Sequence, residues 1–234
     1  MNVFDPWAGY FPEFLQGLGV TIQLTFFALL IGIPLGAIFA LLGLHSRRIV
    51  RYASIALVEI GRGIPGLVVL YLVYFGFPQV DLVLPAFASA VIGLAFTTAA
   101  YTSEIIRGGI RSIDRGQFEA AAALSLSPSQ EMMLVILPQA IKRVIPPLIG
   151  FGVLLYQGTS LAYAISVPEL LSRAYNTATI TYQFTSAFLL AGLMYAVISL
   201  AVTMLSRVTL PRRKKNYPHP YPLKNDPSVS ATPL

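Results

Sequence analysis

The sequence has no cysteine, so it offers neither a disulfide framework nor a thiolate metal site. It has only two histidines, His45 and His219. Charge is scarce as well. Asp, Glu, Lys and Arg make up 11% of the residues, against roughly 25% in soluble domains. No lysine follows a glycine, which removes the Gly-Lys core of a Walker A nucleotide loop. What the chain has in excess is apolar residues, 56% of 234, with a mean hydropathy of +0.70. That length suits one soluble domain or about five membrane spans joined by short loops. The first 15 residues lack a basic segment and carry Asp5 and Glu13, so the first apolar run reads as a retained span rather than a signal peptide.

Five segments are long and apolar enough to cross a bilayer core: about 18–44, 53–77, 84–106, 139–161 and 185–207. The fourth is interrupted by Pro146-Pro147 and Gln157-Gly158. The expected fold is therefore an all-α integral membrane protein with five transmembrane helices. An outer segment (1–17) precedes a transmembrane domain (18–207), and a tail (208–234) follows it. After Asn216 the tail carries Pro218, Pro220, Pro222, Pro227 and Pro233 and reads as disordered. No internal repeat stands out.

The net charge of +6 could signal nucleic acid or anionic lipid, and its distribution decides. Arg47, Arg48 and Arg51 follow span 1. Arg107, Arg111, Arg115, Lys142 and Arg143 lie between spans 3 and 4. Arg207, Arg212, Arg213, Lys214, Lys215 and Lys224 end the chain. With alternating spans, 14 of the 16 Lys and Arg residues fall on one side. The positive-inside rule makes that side cytoplasmic, with the N-terminus outside and no role for nucleic acid. On the outer side, 77–85 holds one charge, Asp81. The longer loop 162–184 places Glu169 and Arg173 at i,i+4, the spacing of a surface pair on a short helix.

The largest cytoplasmic feature is the segment 107–138. Phe118 to Leu124 is alanine-rich and favours helix. Ser127-Pro128-Ser129-Gln130 has the form of a capped helix start, with Gln130 able to close a capping box. The reading is two short helices with a turn at Ser125-Leu126-Ser127. Pattern alone leaves open an amphipathic connector lying on the membrane.

Arg107-Gly108-Gly109-Ile110, Gly116-Gln117, Glu119-Ala120-Ala121 and Leu137-Pro138-Gln139-Ala140 stand in a specific order. Upstream come Glu59, Arg62-Gly63, Pro65, Ala100-Tyr101 and Glu104, and downstream Thr159-Ser160-Leu161 and Glu169-Leu170. Over about 15–205 this order resembles the permeases of bacterial ABC importers for polar amino acids, the histidine/glutamine/arginine/opine group. Their EAA loop docks on the ATP-hydrolysing subunit. The resemblance implies a multi-pass permease subunit of the bacterial inner membrane, with no cofactor and no ATPase chemistry of its own. It implies two ATP-binding cassette subunits, a second permease chain, identical or homologous, and an extracytoplasmic binding protein as partners. It also implies that Glu119, Ala120, Ala121, Leu124 and Ser125 form the ATPase-coupling element. Three positions depart from the group's pattern. Ser125 stands where Gly is usual, and Gly150 where Asn is usual. Gln157-Gly158 replaces a Lys-Asp-like pair, which removes charge from an expected pathway position.

Charged groups inside lipid are expensive and should face protein or water. Glu59 and Arg62 lie one turn apart in span 2, and Glu104 and Arg107 repeat that spacing at the inner end of span 3. Each pair reads either as a buried structural ion pair or as part of a pathway or gate. Gly61, Gly63, Pro65 and Gly66 permit a kink beside the first pair. In span 4, Gln157, Thr159 and Ser160 either bond across helices or line a passage, with Tyr101 a further pathway candidate. No metal site or catalytic set emerges. Neither histidine and no aspartate falls within a span, which argues against an intramembrane dyad. An ATP-independent channel or structural membrane subunit remains the alternative.

The charge asymmetry sets an expected topology. Asn2→Cys should react with an impermeant thiol reagent from outside, and Ser230→Cys only after permeabilisation. The reverse labelling would overturn the orientation.

Overall fold

A computed structural model describes residues 3–209, and every regular element among them is helical. The residues from 210 onward, which hold most of the tail expected to be disordered, lie outside the described residues. Helix α1 spans Trp7–Leu42, α2 Arg48–Gly63, α3 Gly66–Val80, α4 Ala86–Arg111 and α5 Arg115–Ala123. Then come α6 (Pro128–Ile165), α7 (Leu170–Thr181) and α8 (Phe184–Thr209). Four of these, α1, α4, α6 and α8, are long and apolar enough to cross a bilayer.

The segment expected as one span over 53–77, with a kink permitted beside Pro65, is broken into two helices. Helices α2 and α3 meet at an angle of 101°. Pro65 explains the break, because its ring excludes the helical region for the residue before it. Ile64 is accordingly extended, at φ −82° and ψ 128°. The bent pair forms a fifth span if its halves are taken together. Helix α1 also differs from expectation, starting at Trp7 within the segment read as an outer lead-in. Its first turns pack on α7 and α8. Trp7 Nε1 donates to Ser186 Oγ at 3.2 Å, and Tyr10 Oη to Gln183 Oε1 at 3.0 Å.

The third difference concerns α6. Its start is as expected: Ser127 accepts from the Gln130 amide, and the Gln130 side chain accepts from the Ser127 amide. The helix does not then stop before the span. It continues through a π-helical stretch at Glu131–Ile136, an α-helix at Leu137–Gly158 and a 3-10 stretch at Thr159–Ile165. Pro138 falls near the start of the α-helical part, while Pro146 and Pro147 lie inside it. A membrane helix tolerates such prolines when neighbouring groups satisfy the freed carbonyls.

The closest helix packing is between α1 and α4. Ala28, Gly32, Gly36 and Ala40 form a buried stripe at four-residue spacing. A Cβ at Gly32 would come within 2.5 Å of Thr98, and one at Gly36 within 2.1 Å of Thr102 Oγ1. Small residues let two backbones approach where lipid provides no hydrophobic drive. Thr102 Oγ1 donates within its own helix to the Thr98 carbonyl at 2.7 Å and lies 3.4 Å from the Gly32 carbonyl. Next to this seam the central core joins Leu24, Leu70, Leu94, Leu155 and Val167 from α1, α3, α4, α6 and the α6–α7 connection.

Gly36→Ala should therefore lower stability by about 1–3 kcal/mol, the usual cost of overpacking. Thermal unfolding in detergent measures it. Adding Thr102→Ala should recover part of the loss. An unchanged melting temperature in Gly36→Ala would show that the seam is not tightly packed.

Candidate functional site

The segment between α4 and the start of the long α6 span is built from three contacts. Helix α4 ends at Arg111 with Ser112 as its cap, and Ile110 and Ile113 pack with Ile136 and Ala140 of α6 in a small buried cluster. Gly109 permits the approach, since a Cβ there would fall 2.1 Å from Val144 Cγ2. Gln139 Nε2 donates to Gln117 Oε1 at 2.7 Å, joining two of the sequence motifs directly. The Arg143 guanidinium donates to the Ser112 carbonyl and lies 3.2 Å from Ser112 Oγ. Helix α5 is thus tied to α6 through Gln117, and α4 to α6 through Arg143 and Gly109.

The turn after α5 closes with two backbone bonds, Ser125 N–H to the Ala122 carbonyl at 2.9 Å and Leu126 N–H to the Ala121 carbonyl at 3.2 Å. This is a Schellman arrangement, and it requires a left-handed residue. That residue is Ser125, at φ 55°. Glu119, Ala120 and Leu124 are exposed, Leu124 at 73%. Ala121 is not: it is 1% exposed and turned into the chain. A bulky residue at Ala121 would first disturb the packing of α5 on 131–136.

The second candidate region lies at the α2–α3 break. Glu59 and Arg62 pair at 3.3 Å, yet their side chains are 58% and 35% exposed within this chain. The pair expected to be buried is thus open on this chain's surface. The Arg62 guanidinium sits 5.8 Å from the Tyr101 ring centre, and Tyr101 stacks on Phe151 at 5.7 Å. Gly61 brings α2 against Ala100, where a Cβ would meet the alanine Cβ at 2.8 Å. The structure therefore brings Glu59, Arg62 and Tyr101 together.

The polar island of α6 divides. Thr159 is fully buried and donates to the Tyr156 carbonyl at 2.7 Å, so it satisfies its own helix and does not face a passage in this chain. Gln157 Nε2 donates to Ser199 Oγ of α8 at 3.1 Å. Ser160 is half-buried. The neighbouring Leu161 faces the α3 start, with its Cδ1 3.5 Å from where a Gly66 Cβ would stand. The second charged pair, Glu104–Arg107, is formed, with Arg107 buried beside the end of α1 at Gly43.

One polar centre departs from the sequence reading. Glu169 does not pair with Arg173 on a surface. It is fully buried and caps α7, accepting from the Leu171 amide at 2.9 Å and the Ser172 amide at 2.7 Å. Tyr195 Oη donates to it at 2.7 Å, and Thr21 Oγ1 lies 3.5 Å away. Burial pushes the Glu169 carboxyl above its ordinary range, against the downward pull of the Tyr195 hydroxyl and the two amides. Arg173 pairs instead with Glu13 at 3.3 Å. The available signal was the position of Glu169 just before a helical run, where a carboxylate can accept from the first free amides.

Comparison with known proteins places this geometry. The profile of the family described as binding-protein-dependent transport system inner membrane component matches residues 32–215. The chain belongs to this family. It is 39% identical over 202 residues to the glutamate/aspartate import permease protein GltK of Escherichia coli, covering 83% of this chain and 90% of that one. The arginine transport system permease protein ArtQ of Bacillus subtilis is 32% identical, with 88% and 94% covered. A crystal structure of an amino acid ABC transporter with histidines superposes with a TM-score of 0.85 at 33% identity, covering 90% and 98%. The MetNI methionine ABC transporter shares the fold, with a TM-score of 0.68 at 20% identity. As a transport-system membrane component, the chain is not itself an enzyme.

The left-handed Ser125 yields a prediction. A non-glycine residue there carries about 1–2 kcal/mol of steric cost that glycine avoids. Ser125→Gly should raise the melting temperature of the purified permease. Destabilisation by that substitution would mean the Ser125 side chain contributes more than its strain.

Proposed function

We propose that this chain carries a polar amino acid across the cytoplasmic membrane as the permease subunit of an ABC importer. Its energy comes from ATP hydrolysis on a separate subunit. The observation that carries this reading is the exposed face of Glu119, Ala120 and Leu124, braced by Gln117–Gln139 and Arg143, in a chain whose relatives are named amino-acid permeases. Small alanines let a partner approach closely, and Leu124 supplies an apolar anchor. Glu119 supplies a charge for a cation on the partner. Ser125 sets the direction in which the chain leaves that face.

The finer assembly follows the same reading. Five spans cross the membrane, with α2 and α3 together forming one broken span, the N-terminus outside and the C-terminus in the cytoplasm. A second permease, identical or homologous, covers the open Glu59–Arg62 surface, so that the pair and Tyr101 face the pathway between the two chains. Ser160 lies toward that pathway, while Gln157 ties α6 to α8 and Thr159 holds the helix from behind. Two ATPase subunits engage the α5 surface, and an extracytoplasmic binding protein delivers substrate. ATP binding drives the change only by favouring one pathway orientation over the other. The ATP-independent channel is disfavoured, because a channel has no use for a braced, exposed helix on its cytoplasmic side.

The test is co-purification of the ATPase together with ATP-driven amino-acid uptake in vesicles. Glu119→Lys should lower both by about tenfold, the effect of roughly 1.4 kcal/mol of lost contact, while membrane insertion is unaffected. Full association and full uptake in that variant would remove α5 as the coupling surface. Uptake without ATP would favour the channel.

A further inference from the structure

A groove of about 530 Å³ runs between α1, α6 and α8. Ile22, Phe26, Leu29, Ile149, Gly152 and Val202 line most of its apolar wall. All three helices are long and apolar enough to cross a bilayer, so the groove opens at hydrocarbon depth. Three polar side chains reach its wall, and of these Tyr156 Oη is buried with no hydrogen-bond partner among the described residues. Ser199 accepts from Gln157, and Thr25 donates to the Thr21 carbonyl.

The opposite end runs toward cations. Lys142 precedes the lining residues Ile145 by three positions and Ile149 by seven, which places it on the groove face of α6. It is exposed, and no carboxylate pairs with it among the described residues. Helix α8 carries Arg207 just beyond Val202. Cations beside a span attract anionic headgroups.

We propose that the groove holds an acyl chain of an anionic phospholipid whose phosphate rests on Lys142 and Arg207. A zwitterionic lipid could fill the apolar part but would gain less from the cationic end. A second copy of this chain fits worse. Two copies inserted in the same orientation would bring their Lys142 and Arg207 ends to the same side of the membrane, like charge against like. The site rests on the orientation proposed above, because the basic end must meet the cytoplasmic leaflet.

The experiment uses the full chain, reconstituted in nanodiscs with equal phosphatidylglycerol and phosphatidylcholine and then extracted. Retained lipid is counted by mass spectrometry. The native sequence should retain about fivefold more phosphatidylglycerol than phosphatidylcholine, and Lys142→Gln should bring that ratio toward one. Gly152→Leu should lower retention of both lipids. A Cβ at Gly152 would find only Leu29 Cδ1, at 3.8 Å, so the new side chain enters the groove without striking backbone. Equal retention of the two lipids by the native chain, or unchanged retention in Gly152→Leu, would overturn the proposal. So would disulfide-linked dimers of Gly152→Cys in oxidised membranes, which would put a second copy in the groove. Labelling of Lys142→Cys from outside would overturn the orientation alone and leave the lipid counts standing.

Discussion

The contact between α1 and α4 through Gly32 and Gly36 is the constraint on which the other elements depend. Between helices in lipid there is little hydrophobic gain, so close packing must supply the attraction. Two missing side chains bring the backbones close enough for Thr98 and Thr102 to fill the seam. With α4 fixed, its flanks serve the remaining helices. Ala100 receives Gly61 of α2, and Gly109 receives Val144 of α6. Three seams on one helix use the same device, the absence of a Cβ.

The buried Glu169 plays a corresponding part at the other end of α1. Its carboxyl gathers the start of α7, Thr21 of α1 and Tyr195 of α8 around one buried acidic group. A buried carboxyl with four such hydrogen-bonding neighbours has its polar atoms satisfied rather than stranded. Glu13–Arg173 adds a second, more exposed link between α1 and α7. The region from Trp7 to Thr21 is in this way held to the helices that close the chain, while the α2–α3 side carries the broken segment.

Much of this was legible in sequence because membrane chains are written in coarse contrasts. Long apolar runs marked the helices. Ser127 and Gln130 announced a helix start that the capping box bears out, and Pro65 among glycines marked a kink. Hydropathy is blind to direction when a helix is apolar all round. It could not say that Thr159 turns inward, that Ala121 faces its own chain, or that Glu59 stays open. The continuity of α6 was hidden for another reason. Its prolines read as interruptions in a soluble context, but a membrane helix accommodates them. Gly32 and Gly36 did carry a readable four-residue spacing, which hydropathy alone passes over. Glu169 was read as a surface charge because i,i+4 spacing to Arg173 is a local signal, whereas its real partners on α1 and α8 are distant in sequence.

The unbroken course of α6 has a mechanical consequence. Val144, seated against Gly109, lies near the middle of the stretch from Pro128 to Gly158 and can act as a fulcrum. At 1.5 Å per residue the two arms measure about 24 Å and 21 Å. A sideways push at the Pro128 end would then reappear at Gln157 with nearly equal amplitude and opposite sense. Such a rod neither magnifies nor dampens the stroke, and it needs no hinge to deliver it.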